Sequence, residues 1–294
     1  MENCYLKMRD GEKIFIQYWH KQESNVNLLY VHGGPGRGCW DFEYDAQKLS
    51  ETCNVIMYDQ RGVLRSNAIT DSFSSELLID DIEDIRKHFN INKFVLCGHS
   101  YGGHLILRYA LKYPENVEKL IYVCPSFDFQ SSIKNVYRLS FEYLRELNDF
   151  DRIRTLTESI GDDSLKSYVA HLSNIPETIR EKVYYVNQIP RKVENVIYNN
   201  SISDSDWRKG VEQQQKILDE KEIYINYNPF LMKISIPSLL LVGDHDPICC
   251  KVQQESFSKN PNNTIITVKN AGHSLYLENP DEFICEVTKF LNSI

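Results

Sequence analysis

Short apolar runs, each closed by glycine, proline or a polar cluster, recur along the chain at 28–31, 55–58, 94–97, 120–124 and 239–242, and a further short strand is expected at 264–268. Runs of four to six apolar residues that do not alternate with polar ones are expected where a strand is buried on both faces, as in a parallel sheet covered by helices. The segment Lys13 to Trp19 reads differently: Ile14, Ile16 and Tyr18 alternate with Phe15, Gln17 and Trp19, the pattern of one arm of an N-terminal hairpin. Between the strand-like runs the period changes. Leu78, Ile82, Ile85 and Phe89 recur at helical spacing, with Asp80, Asp81 and Asp84 among them, and predict an outer helix. A second helix is expected from about Tyr101 to Tyr113. Strand and helix in alternation predict an α/β fold with a mostly parallel sheet and helices on both faces. After Pro125 the pattern breaks: from Phe127 to Lys233 the chain shows helical segments rich in tyrosine and charge and no strong strand, until Ile236-Pro237 leads back to the sheet. The expected organisation is a core of residues 1–125 and 233–294 with a helical insertion, 126–232.

Composition narrows the function class. A chain of 294 residues with 42% hydrophobic content can bury one large core and still carry an inserted segment. The net charge of −8, with no long basic run, argues against nucleic acid as the main partner. No stretch approaches the roughly 20 apolar residues of a membrane span, and Met1-Glu2-Asn3-Cys4 does not begin a secretory signal, so a cytoplasmic location is expected. The eight cysteines include no Cys-x-x-Cys, and the histidines are scattered; no metal site is expected, and all eight are read as reduced thiols. Cys97 and Cys124 fall in or at the end of core strands, where a thiol packs as a small apolar group.

The chemistry is concentrated where strands end. Gly98-His99-Ser100-Tyr101-Gly102 follows the run Phe94–Cys97, and glycines two before and two after a serine allow the strained strand-to-helix turn that exposes its hydroxyl. Ser100 is therefore the expected nucleophile. The loop His32-Gly33-Gly34-Pro35-Gly36 follows another strand and suits an oxyanion hole, with the backbone N–H groups of Gly34 and Tyr101 as donors and Gly33 as the alternative to Gly34. The strand ending at Val242 leads into Gly243-Asp244-His245-Asp246-Pro247, where two aspartates compete. Asp246 lies farther past the strand end, before a helix expected to open with Pro247, and is the one expected to reach a histidine; Asp244 is read as a turn acceptor. His273, in Asn270-Ala271-Gly272-His273-Ser274, is the expected base. His99 and His104 are read as packing or hydrogen-bonding residues, His32 as the residue that fixes its glycine loop, and Asp59 and Arg61 as structural. No cofactor is required for this chemistry.

These residues carry a resemblance. The order Ser100, Asp246, His273, together with His-Gly-Gly-Pro-Gly at 32–36, Asp-Gln-Arg-Gly at 59–62 and Gly-x-Ser-x-Gly-Gly at 98–103, resembles α/β-hydrolases of the proline iminopeptidase type. The resemblance implies an α/β-hydrolase fold and makes the insertion 126–232 a lid over Ser100. It implies a serine hydrolase acting on a small molecule, since relatives with this signature include esterases, lactonases and amidases as well as aminopeptidases. Family members usually follow Asp-Gln-Arg-Gly with a small residue and a glycine, whereas this chain has Val63-Leu64-Arg65-Ser66. Aminopeptidases of the family hold a substrate amine with acidic residues, in some members one beside the triad aspartate, where this chain has Pro247; Glu212, Glu220 and Glu222 are candidate replacements. The expected activity is cleavage of a carboxylic ester or lactone, with an amide also open; the alternatives are an aminopeptidase or a ligand sensor on a hydrolase fold. Of the aromatics in the insertion, Tyr137, Phe141, Tyr143, Tyr184, Tyr185, Tyr198, Trp207, Tyr224 and Tyr227, some are expected to line the pocket and the rest to pack.

Overall fold

A computed structural model describes residues 1–21, 23–161, 164–197 and 202–293. Eight strands form one sheet: β1 Glu2–Lys7, β2 Lys13–Trp19, β3 Asn27–Val31, β4 Asn54–Tyr58, β5 Phe94–His99, β6 Val117–Val123, β7 Ser238–Gly243 and β8 Asn263–Val268. Their order is β1-β2-β4-β3-β5-β6-β7-β8. The first two form the expected hairpin and β2 runs antiparallel to β4; every later pairing is parallel.

The apolar runs are explained by two cores, one on each face. Leu29, Val31, Ile56, Tyr58, Leu96, Leu120, Tyr122, Leu240 and Val242 pack on one side. Their neighbours Leu28, Tyr30, Val55, Met57, Val95, Cys97, Ile121, Val123, Leu239 and Leu241 pack on the other. Successive residues of a strand point to opposite faces, so a strand covered on both sides must be apolar at every position. Each fully buried aliphatic side chain contributes about 1.5–3 kcal/mol relative to exposure, enough in number to fix the register.

Among the described residues, twelve helices cover the sheet or lie in the insertion: α1 Glu43–Leu49, α2 Ser75–His88, α3 Tyr101–Lys112, α4 Phe129–Glu146, α5 Phe150–Ile160, α6 Leu165–Ala170, α7 Glu177–Tyr184, α8 Arg191–Ile197, α9 Asp204–Asp219, α10 Lys251–Ser258, α11 Leu275–Glu278 and α12 Pro280–Leu291. Helix α2 buries Leu78, Ile82 and Ile85 of the expected stripe and Ile79 beside them, while Phe89 lies just past its end and is partly buried. The helix expected to open with Pro247 begins instead at Lys251. The carboxylate of Asp246 accepts the N–H groups of Ile248 (3.1 Å) and Cys249 (2.8 Å), and this side-chain competitor holds 247–249 in a turn.

The helices α4–α9 all lie between β6 and β7 and do not share one core. A separate cluster holds Ile133, Val136, Tyr137, Leu144, Leu156, Ile175, Ile179 and Val183 from α4–α7 and the segments between them. Val193 and Ile197 of α8 join one face of the sheet, while Ile217 of α9 and Ile223, Tyr227 and Leu231 beyond it join the other. Among the described residues no helix is long and apolar enough to cross a membrane.

Candidate active site

Ser100 sits between β5 and α3 with φ 52° and ψ −117°, a backbone conformation that L-residues rarely adopt and that a surrounding structure must enforce. The enforcement is steric. A Cβ at Gly98 would strike the carbonyl of Gly102, and one at Gly102 would strike the carbonyls of Val31 and His32, so the two glycines let strand, turn and helix close on the neighbouring strand. The Ser100 N–H donates to the Val123 carbonyl at 2.9 Å.

The glycine loop after β3 packs directly on this turn. A Cβ built on Gly33 would lie 3.0 Å from Ser100 Cβ and 2.8 Å from His99 Nδ1. His32 holds the loop: its Nδ1 donates to the Gly33 carbonyl at 2.8 Å, its Nε2 accepts the Gln60 N–H at 3.0 Å, and the Gln60 side-chain amide donates to the His32 carbonyl at 2.9 Å. Burial pushes the His32 imidazole down to about 4, so the ring is neutral and its tautomer is set by these two bonds. Within the described residues the amides of Gly34 and Tyr101 have no hydrogen-bond acceptor.

Asp246 and His273 meet beyond the ends of β7 and β8. His273 Nδ1 donates to Asp246 Oδ1 at 2.8 Å; the aspartate side chain is fully buried and the histidine side chain 10% exposed. With the N–H groups of Ile248 and Cys249 this gives the carboxylate three donors, which satisfies a charge that would otherwise be costly to bury. Asp244 takes the other part expected of the pair, accepting the N–H of Ala271 at 3.2 Å and pairing with His245 at 2.8 Å, and thereby tethers the loop that carries His273.

His99 bridges the nucleophile turn and the histidine loop. Its Nε2 donates to the His273 carbonyl at 3.1 Å, and the two rings lie 4.8 Å apart. Burial and the neighbouring His273 push the His99 imidazole well below its ordinary value, so it stays a neutral donor. His104 packs on Tyr101 and Tyr227, as read from sequence, and burial lowers it to about 3. Asp59 receives Arg65 Nε at 2.6 Å and the Cys39 N–H at 3.0 Å; burial opposes its charge, but Arg65 holds the carboxyl below the usual range. Arg61 is held by Asp81 and Asp10. Leu64, where the resemblance leads one to expect a glycine, takes a φ of 38° and fills the space above Gly38.

Tyr184, one of the insertion aromatics named from the sequence, and Glu278 of α11, which the sequence did not single out, join the insertion to the histidine loop. The carbonyl of Tyr184 accepts the His273 N–H at 2.8 Å, and the Tyr184 ring meets the His273 ring edge-on at 5.5 Å. Glu278, buried, accepts from Val186 N (2.8 Å), Asn187 N (2.9 Å) and Gly272 N (3.1 Å), joining the insertion to the histidine loop. Tyr137 packs with Phe141 and Tyr168 inside the insertion's own core, and Trp207 stands edge-on to Trp40; Tyr198 lies outside the described residues. Glu220 accepts from Ser75 N (2.8 Å) and Oγ at the start of α2, and Glu222 accepts from the Tyr227 hydroxyl and pairs with Arg108 at 3.4 Å, so both have structural partners; Glu212 is exposed.

Cys124 Sγ, a carboxylate oxygen of Asp246 and a ring nitrogen of His273 lie within 4.8 Å of one another, the one cluster of metal-ligating groups among the described residues. Burial and the adjacent Asp246 push the thiol well above its ordinary value, and Asp246 is already hydrogen-bonded to His273, so this donor set suits the Asp–His pair better than a cation.

A strained serine after β5 and an Asp–His pair after β7 and β8, all at the C-terminal edge of one mostly parallel sheet, agree with the family match found over residues 26–280, to the alpha/beta hydrolase fold. The chain belongs to that family. This hydrolase is 27% identical, over 97% of its length and 90% of the relative's, to a proline iminopeptidase of Saccharolobus solfataricus. Its fold matches that of a proline iminopeptidase-related protein of Thermus thermophilus with a TM-score of 0.75 at 18% identity, covering 99% of this chain and 96% of that one. It also matches an esterase of Exiguobacterium antarcticum with a TM-score of 0.70 at 18% identity, covering 99% and 100% of the two chains.

Proposed function

We propose that this hydrolase cleaves a carboxylic ester or lactone of a small molecule through an acyl-enzyme on Ser100, with residues 126–232 acting as a lid. The observation that carries the reading is the 2.8 Å bond from His273 Nδ1 to the buried Asp246, on a loop that His99 ties to the serine turn. With Nδ1–H on Asp246, the neutral tautomer of His273 is the one whose free nitrogen is Nε2, the form needed to take the Ser100 proton as its oxygen attacks the substrate carbonyl. The oxyanion formed would be met by the N–H groups of Gly34 and Tyr101, which have no acceptor of their own among the described residues. Collapse of the tetrahedral adduct breaks the C–O bond to the leaving group, which receives the proton from His273; a water, deprotonated by the same nitrogen, then cleaves the acyl-enzyme and restores Ser100.

The proline iminopeptidase relatives favour a second reading, an aminopeptidase. That activity needs carboxylates for a substrate ammonium group. Glu220 and Glu222 already have partners, Pro247 follows Asp246, and Arg37, three residues past Gly34, brings positive charge within electrostatic reach of His32 and His99. These features support a substrate without a free amine.

A panel of p-nitrophenyl butyrate, a γ-lactone, prolyl p-nitroanilide and its N-acetyl analogue, each with a Ser100→Ala control, tests the assignment. Higher kcat/KM on the ester or lactone than on the prolyl amide is expected, with little effect of N-acetylation. A large loss on acetylation would establish the aminopeptidase instead. A fluorophosphonate should label the wild type and not Ser100→Ala; equal labelling of both would remove Ser100 from the mechanism, and absent turnover on every substrate would favour a sensor.

A further inference from the structure

The glycine loop that carries Gly34 is held from two sides. On the core side His32 and Gln60 fix its start. On the other side Pro35 and Gly36 are hydrogen-bonded, among the described residues, by helix α9 of the insertion, and the next core anchor is the Cys39 N–H on Asp59. Gln213, fully buried, accepts the Gly36 N–H through Oε1 at 2.8 Å and donates Nε2 to the Arg61 carbonyl at 2.7 Å. Gln214 donates to the Pro35 carbonyl at 3.4 Å, and Lys209 to the Ser66 carbonyl at 2.8 Å. The backbones themselves touch: a Cβ on Gly36 would strike the Gly210 carbonyl, and one on Gly210 the Gly36 carbonyl. Gly34, with φ 126°, is thus suspended between a core anchor at His32–Gly33 and an insertion anchor at Pro35–Gly36.

We infer that Gln213 is a positioning residue: from the lid it sets the backbone course of the glycine loop, so that the oxyanion donor at Gly34 is completed only when α9 is docked. The inference rests on the proposed role of the Gly34 amide. A buried primary amide suits this place because one group both accepts from Gly36 and donates to Arg61. Gln213→Met keeps the length and volume and removes both bonds, leaving the buried Arg61 carbonyl and the half-buried Gly36 N–H without these partners. Gln213→Glu keeps the acceptor toward Gly36 and loses the donor toward Arg61.

The test uses the full chain, with p-nitrophenyl butyrate as substrate, active sites counted by fluorophosphonate titration, and an alkyl trifluoromethyl ketone as an inhibitor that binds as an oxyanionic adduct. Loss of a complete oxyanion donor costs about 100–1000-fold, so misplacing one should lower kcat per titrated site by about 10–100-fold in Gln213→Met, with KM changed less than about twofold. The inhibition constant of the ketone should rise by the same factor as kcat/KM falls. Gln213→Glu should fall between Met and wild type, and serves if the Met variant does not fold. A role limited to stability would lower the number of titrated sites and leave kcat per site and the ketone affinity unchanged; that result overturns the inference. So does a rise in KM alone, or a drop in kcat without loss of ketone affinity. Turnover surviving in Ser100→Ala would instead overturn the serine mechanism beneath it.

Discussion

Asp244 and Asp246 stand two residues apart after the same strand and are held by different partners. Asp246→Asn replaces the acceptor of the His273 Nδ1–H bond with a group whose amide end favours the wrong histidine tautomer, and turnover should fall by about four orders of magnitude with little change in thermal midpoint. Asp244→Asn retains an oxygen for the Ala271 N–H, and should change turnover by no more than a few-fold while lowering the midpoint; exchanged outcomes would move the acid to Asp244. A buried histidine gives a further test. His104 is lowered to about 3 by burial, and its Nε2 has no hydrogen-bond partner among the described residues. An unfolded histidine titrates near 6.5, so between about 6.5 and 3 the unfolded chain binds a proton that the folded chain does not, and stability falls as pH is lowered through that window. His104→Phe keeps the ring between Tyr101 and Tyr227 and removes this site, so urea midpoints measured from pH 7 to pH 4 should decline less steeply than in wild type. An unchanged slope would assign the acid sensitivity elsewhere. The strand-end positions of the candidate residues Ser100, Asp246 and His273 were legible because each follows a strand in a turn of distinctive residues. Gln213 was not, because it sits among the exposed Glu212, Gln214 and Gln215 and its bond to Gly36 spans 177 residues.

Among the elements, strands were easier to read than helix starts. A strand buried on both faces leaves an apolar run whatever its neighbours are, whereas the start of α10 depends on where a side chain intercepts backbone N–H groups: Asp246 delays it from Pro247 to Lys251. The separate attachments of the insertion were also hidden, because Val193 and Ile197, like Ile217 and Ile223, look in sequence like ordinary helical packing positions. The turn between β5 and α3 supports a quantitative expectation. Gly102→Ala forces a methyl against the carbonyls of Val31 and His32, and should lower the free energy of unfolding by about 1–3 kcal/mol in urea titrations, with a reduced rate of fluorophosphonate labelling because Ser100 rides on the same turn. Wild-type labelling with undiminished stability would show that β3 and α3 have room to separate.

Across the whole molecule, the insertion joins the sheet through the Tyr184–His273 and Glu278 bonds at one end and through the α9 contacts at the other. These ties predict one cooperative thermal transition, with equal calorimetric and van't Hoff enthalpies; two resolved transitions would mean that the insertion melts by itself. The division of the interior into three clusters has a consequence for how substrate preference changes among relatives. The described residues of 129–183 share a cluster that Ile248 joins from the turn after β7, whereas α9 lies backbone to backbone against the glycine loop. A chimera that takes 129–183 from a relative should leave the turn of Ser100 as it is so long as the new residues still fit Ile248, whose N–H donates to Asp246. One that also takes α9 must bring its matching glycine loop, because Gly36 and Gly210 leave no space for a partner of different shape.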